Sequence, residues 1–204
     1  LISMKPRSIE DLTAATSIYR PGPSASIPTF LKNRINPEEI RYETPMLEPI
    51  LRVTSGCLLY QEQVMQVFRT LAGYSYGRAD LVRKAMGKKK KDVMEAERQN
   101  FLYGRKREDG TVECPGAVAN GVSEAVAQHI FDEMAACAEY AINKAHATAY
   151  AVVSYQTAFL KCHYPRQYLA ALLTSVLENT GKLIEYLEEC KAREIPILPP
   201  DVNR

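Results

Sequence analysis

Basic side chains are concentrated in one short stretch of this chain. Residues 78–91 contain seven Lys or Arg and one Asp, a local charge of +6. The whole chain carries only +2, so all residues outside this stretch sum to −4. Clustered cations are what a phosphate-binding surface needs. The stretch therefore predicts an anion-binding site, and the competing interpretation is a solvated charged face without a ligand.

Apolar residues interleave with these charges at helical spacing. The spacing predicts a helix that leaves Arg83, Lys84 and the following lysines free to point at an anion. The apolar positions are Leu81, Val82, Ala85 and Met86.

A second polar cluster precedes a long apolar segment. Asn143, Lys144 and His146 lie where a helix would begin, and free backbone N–H groups there favour an anion. Lys144 adds a charge, His146 adds a donor that changes with pH, and Tyr140 offers a flat surface for a base or sugar. The alternative is structural: Asn143 caps the helix, Lys144 faces solvent and His146 is satisfied locally.

Several catalytic patterns are missing from the sequence. Metal-dependent phosphoryl transfer needs close carboxylates, yet no two of the six Asp lie within eleven residues of each other. The common phosphate-binding loops, the zinc-protease motif and the hydrolase nucleophile motif are also missing. We therefore expect no catalytic residue and no metal site within this chain.

Bulk composition is that of a globular protein with one domain or two small ones. Hydrophobic residues make up 46% and charged residues 25% of the 204 positions. No signal peptide or membrane-spanning run is predicted, and the Leu at position 1 suggests a piece of a longer protein. Five scattered cysteines without a C-x-x-C spacing, and three separated histidines, argue against disulfides and zinc. The cysteine pattern predicts a reducing, cytoplasmic location.

Capping residues, prolines and apolar periodicity predict a mainly α fold with little or no β-structure. We expect a core helix over residues 147–163, because it is apolar on most sides, and a loop over 108–121. Residues 56–60 predict a buried strand or the lead-in to a helix, and residues 195–198 could begin a strand. Besides the basic helix, the other predicted helices cover residues 9–18 (capped by Ser8), 30–34, 61–71, 93–106, 124–137, 166–177 and 182–191.

The same signals divide the chain into five segments. The prediction is a Pro-rich N-terminal part (1–55), a basic helical part with the phosphate site (56–108), a loop (109–121), a C-terminal helical core (122–194) and the start of a link (195–204).

Several ordered motifs resemble the replicative DNA polymerase III alpha subunits of bacteria, the DnaE-type members of polymerase family C. The resemblance covers essentially the whole chain, and its specificity comes from the order of the motifs. These motifs are the runs 19–23 (YRPGP), 60–65 (YQEQVM), 83–90 (RKAMGKKK), 143–146 (NKAH), 150–157 (YAVVSYQT) and 198–203 (LPPDVN).

The resemblance implies a multi-helix fingers domain, which closes over the incoming deoxynucleoside triphosphate opposite the template base. In this family the metal-binding aspartates belong to the preceding palm domain, and their motifs are missing here. The resemblance therefore implies Mg²⁺ ligands outside this chain, no cofactor bound by the chain, and no polymerisation by the chain alone. Implied partners are template–primer DNA, deoxynucleoside triphosphates, and the palm and C-terminal domains of the same polypeptide. A sliding clamp and other replisome subunits would attach through regions outside this chain, and no membrane is involved.

The resemblance also assigns site residues by position. For nucleotide binding they are Arg83, Lys84, Tyr140, Asn143, Lys144 and His146. For DNA binding they are Arg20, Arg78, Lys88, Lys89, Lys90 and Lys91, with a capping role as the alternative for Arg20. Four positions depart from the family pattern: Lys84 replaces an Arg, Ile142 replaces a Phe, Ala145 replaces a Ser, and Ser55 replaces a Tyr. The first departure replaces a bidentate grip with a point charge.

Two other functions remain open on the residues themselves. One is a helical nucleic-acid-binding or scaffold module that grips phosphates without sequence preference and has no nucleotide pocket. The other is a purely structural helical bundle, which the concentrated positive charge disfavours. A response of DNA binding to a triphosphate would distinguish the polymerase function from both.

Overall fold

The computed structural model describes residues 1–88 and 91–199, without the side chains of residues 91 and 92. Over this part of the chain it contains ten α-helices, four short 3₁₀ helices and one two-stranded hairpin. The predicted mainly α fold is confirmed. The helices are α1 Ile9–Ile18, α2 Ile27–Ile35, α3 Glu48–Leu51, α4 Gln61–Ala72, α5 Tyr76–Gly87, α6 Lys91–Tyr103, α7 Glu124–Ala138, α8 Lys144–His163, α9 Pro165–Ser175 and α10 Thr180–Ala192. The strands are β1 Arg105–Lys106 and β2 Val112–Cys114, and the 3₁₀ helices are Pro23–Ser26, Pro37–Glu39, Pro45–Leu47 and Arg52–Thr54.

Side-chain caps fix where two of the helices begin. The Ser8 hydroxyl accepts the Asp11 backbone N–H at 3.1 Å, which confirms the predicted cap of α1. The Ser75 hydroxyl accepts the Arg78 N–H at 3.2 Å and starts α5. Such caps satisfy amide groups that have no partner inside the helix and contribute about 1 kcal/mol each. The start of the basic helix is therefore set locally.

A hydrophobic core joins α4, α5, α6 and α7. Phe68 of α4 lies at its centre, with ring centroids 5.3 Å from Phe101 and 6.2 Å from Phe131, both edge-to-face. All three rings are fully buried. Burying such a side chain contributes about 1.5–3 kcal/mol. This core holds α5 and α7 in fixed relative positions, and these two helices carry or precede the predicted site residues.

A smaller core joins α1 and α2 to the extended segment before α4. Ile18, Phe30, Leu59 and Tyr60 are buried there. Tyr60 forms a single parallel bridge with Ile142. The segment predicted as a strand or a lead-in is thus an extended lead-in with one bridge, and it connects this core to the start of α8.

The chain divides into two compact units, Leu1–Ala151 and Val152–Arg204. The first unit contains both cores. Within the second, Leu169 and Cys190 are buried, and the Lys161 ammonium lies 2.8 Å from Glu189. The division falls inside the predicted segment 122–194, and the five-segment scheme remains a prediction.

The prediction that residues 147–163 form a buried core helix is wrong about their burial. Of α8, which is described throughout, only Ala147 and Ala151 are buried, whereas Tyr150, Val153 and Tyr155 are more than half exposed. A helix that is apolar on most sides has no single stripe to indicate its packing face. Apolar composition alone therefore did not identify the neighbours of α8.

Two predicted boundaries also differ from the structure. The helix expected to reach residue 106 ends at Tyr103, because Gly104 turns the backbone (φ 85°) into β1. β1 pairs antiparallel with β2, so the predicted loop contains a short strand. Residues 195–199 have no regular secondary structure, so the strand expected there is wrong. Strands of two or three residues are too short for their periodicity to be recognised.

Among the described residues, no helix combines the length and the apolar character that a membrane crossing requires.

Candidate functional site

The buried face of α5 anchors the basic helix. Ala79, Val82 and Met86 are buried against the main core, as their spacing requires. Leu81 is 65% exposed, so the predicted apolar face was one residue too wide. Lys84 lies on the exposed side of α5 and Arg83 is largely buried beside the packed face, so the core determines where these cations lie.

Asp80 holds both of these cations. Its carboxylate lies 2.8 Å from Arg83 Nη2 and 2.6 Å from Lys84 Nζ. The hydrogen bonds from Lys84 and then Arg83 lower the pKa of Asp80 below its usual range. The Arg83 side chain is 15% exposed and that of Lys84 is 58% exposed. Asp80, Arg83 and Lys84 thus form a cationic surface in which Asp80 lowers the net charge from +2 to +1.

Arg78 makes ion pairs with two carboxylates outside α5. Its guanidinium forms an ion pair with Glu97 and lies 3.7 Å from Glu113. It also lies over the ring of Tyr74, whose hydroxyl donates to Glu97 at 3.3 Å, and burial raises the pKa of Tyr74. These contacts connect α5 to α6 and to the hairpin. They give Arg78 a structural role, and its contact with DNA remains a prediction.

The predicted lysine run lies largely beyond the described residues. Lys88 directly follows α5, is exposed, and donates its backbone N–H to the Ala85 carbonyl at 3.1 Å. Lys89 and Lys90 lie outside the described residues, as does the side chain of Lys91 at the start of α6.

The first turn of α8 is satisfied by side chains of the chain itself. The Asn143 Oδ1 atom accepts the His146 backbone N–H at 2.9 Å, so Asn143 caps the helix. The Glu62 carboxylate accepts the Asn143 side-chain amide at 2.9 Å and the Lys144 backbone N–H at 3.0 Å. A carboxylate is stabilised at this end of a helix by the free amide groups and the helix dipole. Glu62 therefore occupies the position at which the sequence predicted an external anion.

Lys144 and His146 make further contacts at this site. The Lys144 ammonium lies 2.7 Å from Glu10 and 5.5 Å from the ring centroid of Tyr60. Burial raises the pKa of Tyr60, so its hydroxyl stays protonated. The exposed ring of His146 packs edge-on against Tyr150, with centroids 4.9 Å apart. The Lys144 ammonium is thus paired with Glu10, while Glu62 accepts the backbone N–H of the same residue.

The Tyr140 ring lies against the turn at residues 19–23. Gly22 has φ 96°, and a Cβ atom there would lie 2.4 Å from Cγ of Tyr140. The absence of a side chain at Gly22 is therefore what admits the ring. Arg20 is half-buried in the same turn, and its carbonyl accepts the Ser24 N–H at 3.1 Å. The fold thus brings Tyr140 beside the turn that carries Arg20, which sequence reasoning did not predict.

The two predicted clusters are connected through helix ends. A Cβ atom on Gly87, at the end of α5, would lie 3.5 Å from the carbonyl oxygen of Ala138, at the end of α7. Tyr140 follows Ala138 by two residues. The end of the basic helix therefore approaches the segment that leads to α8, while Arg83 and Lys144 each pair with their own carboxylates.

Residues 61–63 hold the segments around this site, a role that sequence reasoning missed. The Gln61 side chain donates to the Ala141 carbonyl at 3.1 Å, and its backbone N–H donates to Ile142 at 3.0 Å. Buried Gln63 accepts the Leu59 N–H at 2.9 Å and donates to Thr54 at 2.7 Å. Residues 60–65 belong to one of the motifs that carry the resemblance. Three polar residues at the start of an amphipathic helix could have indicated these hydrogen bonds to the segment before α8.

Comparison with known proteins gives consistent relatives. The family described as the bacterial DNA polymerase III alpha subunit finger domain matches residues 1–109. The DNA polymerase III subunit alpha of Staphylococcus aureus (strain Mu50) is 42% identical over 203 residues, covering 100% of this chain and 18% of that protein. The DNA polymerase III subunit alpha of Thermus aquaticus is 44% identical over 206 residues, covering 98% of this chain and 16% of that protein.

This chain thus spans less than a fifth of the length of these relatives. The family match covers more than half of the chain, and the similarity to both relatives extends over nearly all of it. The chain therefore belongs to the family of bacterial DNA polymerase III alpha subunit finger domains.

Proposed function

We propose that this chain contacts the incoming deoxynucleoside triphosphate and the template–primer DNA as the fingers part of a replicative polymerase alpha subunit. The observation that carries the proposal is the pair Arg83 and Lys84, both held by Asp80 on a helix that is anchored in the core. During 5′–3′ synthesis the palm domain would supply the Mg²⁺ ligands and the catalytic carboxylates, so this chain would not polymerise alone. Its place would be the bacterial cytoplasm, with the palm and C-terminal domains of the same polypeptide as neighbours.

Electrostatics supports a triphosphate at this surface. A triphosphate carries about four negative charges, and its pyrophosphate leaving group gains more as the bond breaks. Arg83 presents a partly buried guanidinium with a fixed orientation, while Lys84 presents a more exposed ammonium. Because Asp80 already orders both side chains, little side-chain entropy remains to be lost when a phosphate binds.

The start of α8 would form the second half of the nucleotide site. Tyr140 is 39% exposed and offers a ring for stacking. Lys144 and His146 provide donors, and Asn143 holds the first turn. A phosphate that reached Lys144 would have to compete with Glu62 and Glu10.

DNA contacts are proposed at the rim of these clusters. Arg20 lies in the turn that supports Tyr140, and Lys88 is an exposed cation at the end of α5. Lys89, Lys90 and Lys91 extend the positive charge in sequence. Backbone phosphates attract such cations without regard to base sequence.

A nucleic-acid-binding module without a nucleotide pocket is the second candidate. The observation that favours it is Glu62, whose carboxylate occupies the anion position at α8. In this alternative the basic helix grips DNA, and a triphosphate has no effect on that grip.

Fluorescence anisotropy on a labelled primer–template, over a salt series and with or without the matching triphosphate, tests the proposal. The Arg83→Ala/Lys84→Ala variant should bind DNA more weakly and lose the response to triphosphate. Its logarithmic salt slope should become shallower by about 0.9 per lost phosphate contact. The matched control is Lys182→Ala/Lys191→Ala in α10, which removes the same charge from another helix.

Three outcomes separate the candidates. A triphosphate response that the first variant loses and the control keeps supports the nucleotide site. DNA binding that depends on Arg83 and Lys84 but ignores triphosphate supports the second candidate. Equal behaviour of wild type and both variants would overturn the assignment of α5 as a phosphate surface.

A further inference from the structure

We propose that Glu43, His129 and Glu133 form a binding site for a divalent first-row transition-metal ion of the zinc type. The three side chains each offer one ligand atom, and these atoms all lie within 4.8 Å of one another. The site is independent of the proposed nucleotide function and uses none of its residues.

Helical spacing places two of the ligands side by side. His129 and Glu133 are four residues apart on α7, so they project from the same helix face, one turn apart. Glu43 belongs to the loop before the 3₁₀ helix Pro45–Leu47 and lies 2.6 Å from His129 Nδ1. An ion held here would therefore join that loop to α7.

Small side-chain rotations would complete the coordination. With metal–ligand bonds of about 2.0–2.2 Å, ligand atoms around a tetrahedral ion lie about 3.3–3.5 Å apart. The present separations are close to this range: His129 Nδ1 and the Glu43 carboxylate are 2.6 Å apart, and all three ligand atoms lie within 4.8 Å of one another. All three residues are exposed, so rotation and access by an ion from solvent are both unhindered.

Local charge favours a cation at this point. Two carboxylates face one imidazole, which leaves a net charge of −2 when the imidazole is neutral. A divalent ion would remove the repulsion between the two carboxylates. Asp132 adds negative charge nearby, although its carboxylate pairs with Arg98 at 2.6 Å.

The donor set selects the class of metal. One imidazole nitrogen and two carboxylate oxygens suit Zn²⁺, Co²⁺, Ni²⁺ or Mn²⁺, whereas Mg²⁺ and Ca²⁺ prefer oxygen ligands alone. This site could not be predicted from the sequence, because the histidines are isolated and Glu43 lies 86 residues from His129. Only the packing of the loop on α7 brings the three ligands together.

The test is a titration of the chain with Co²⁺ at pH 8, followed by visible d–d absorption and by displacement with Zn²⁺. His129→Asn, Glu133→Gln and Glu43→Gln should each lower the affinity at least about tenfold, since loss of an outer-shell partner already costs that much. Glu124→Gln on the same helix is the matched control and should leave the affinity unchanged. Far-ultraviolet circular dichroism establishes that every variant remains folded.

A second measurement guards against binding at cysteine. Zn²⁺ should raise the midpoint of thermal unfolding in the wild type and in Glu124→Gln, and not in the three ligand variants. The proposal fails if the Co²⁺ complex shows thiolate charge-transfer bands, if no d–d absorption develops, or if the ligand variants bind as the wild type does.

Discussion

At the scale of single residues, Asp80 has two opposing effects on the cations beside it. It orders Arg83 and Lys84 through contacts of 2.8 and 2.6 Å, and it also removes one unit of positive charge from the surface. Exposed ion pairs of this kind are weak, on the order of 0.2–1 kcal/mol. Because the ordering contribution is therefore small, we expect the charge effect to dominate when a phosphate approaches.

Replacement of Asp80 should accordingly strengthen DNA binding. We expect Asp80→Asn to raise primer–template affinity about two- to fivefold at low salt, which corresponds to the energy of an exposed pair. The gain should shrink as salt screens the surface. Anisotropy titrations at two salt concentrations measure both effects, with Asp109→Asn in the hairpin turn as control. Weaker binding by Asp80→Asn would mean that ordering matters more than charge.

Glu62 presents the same balance at the start of α8. Its carboxylate accepts two N–H groups there, at 2.9 and 3.0 Å, and so fills the anion position. We expect Glu62→Gln to lower the free energy of unfolding by about 1 kcal/mol, because the helix loses a charged partner at its N-terminus. Triphosphate affinity should rise, because one competing negative charge is removed.

Urea unfolding and triphosphate titration measure these two expectations separately. Glu38→Gln, in the 3₁₀ helix Pro37–Glu39, is the control for the loss of one surface carboxylate. A fall in triphosphate affinity for Glu62→Gln would indicate that Glu62 positions the site for nucleotide and does not compete with it.

At the scale of elements, the turn at residues 19–23 acts as the support for Tyr140. Gly22 combines a positive φ of 96° with a ring 2.4 Å from where a Cβ atom would lie. We expect Gly22→Ala to lower the free energy of unfolding by about 1–3 kcal/mol, through backbone strain and displacement of the ring. Urea unfolding followed by circular dichroism gives the value.

Gly77→Ala is the matched control for this substitution. Gly77 lies in the first turn of α5, and nothing lies within 4 Å of its Cβ position, so this change should be neutral or slightly stabilising. The double variant Gly22→Ala/Tyr140→Ala should regain only the part of the unfolding free energy that displacement of the ring costs. The part that backbone strain costs should remain lost. A Gly22→Ala variant as stable as Gly77→Ala would contradict the proposed support.

The α1–α2 pair depends on an ion pair whose contribution varies with pH. Arg34 binds Asp11 through two contacts of 2.6 and 2.7 Å, and this bidentate pairing lowers the pKa of Asp11. Because the pKa of Asp11 is lower in the folded chain than in the unfolded chain, where it is about 3.9, the ionised carboxylate stabilises the fold at pH values above about 3.9. This stabilisation is lost as the pH falls through the pKa of the folded state.

We therefore expect Asp11→Asn to cost about 1.5–3 kcal/mol of unfolding free energy at pH 7, the range for hydrogen bonds to charged groups. The difference from wild type should vanish at a pH below the folded pKa, where Asp11 is protonated in both states. Urea titrations across pH 2–7 measure it, and Asp132→Asn, which removes a more exposed pair, should cost less. A difference that stays constant over this pH range would contradict the role of the charge.

The elements also show what a single sequence could predict. Helices with a clear apolar stripe or a capping serine, such as α1, α4 and α5, were predicted because their signals are local. α8 was given the wrong burial because it carries apolar residues around its circumference. β1 and β2 were missed because two or three residues do not display a period.

At the scale of the whole molecule, the predicted site residues were chosen individually, and the contacts that organise them come from distant parts of the chain. Gly22 contacts Tyr140 and Glu62 contacts Lys144 across the chain, whereas Asp80 for Lys84 and Asn143 for His146 are local partners. Packing around Phe68 and its neighbours brings α5 and α7 together, and residue types do not reveal such pairings in one sequence. One sequence therefore shows where cations cluster, whereas the contacts of Glu62 and Gly22 with these regions could not be predicted from it. The binding roles of the cations stay predictions.

The last prediction concerns catalysis by the whole chain. Template-directed extension needs two metal ions held between the substrate phosphates and closely spaced carboxylates. The six Asp of this chain are at least twelve residues apart, so the sequence offers no closely spaced pair of aspartates. We expect the chain to add no nucleotide to a primer–template with Mg²⁺ and all four triphosphates, even where anisotropy shows the DNA to be bound. A gel-based extension assay with the full-length Staphylococcus aureus relative as positive control measures this. Extension above the protein-free background that survives repurification of the chain would mean that the carboxylates of an active site assemble from distant residues within it. The proposal that this chain contacts the phosphates while the palm domain supplies the catalytic carboxylates would then be wrong.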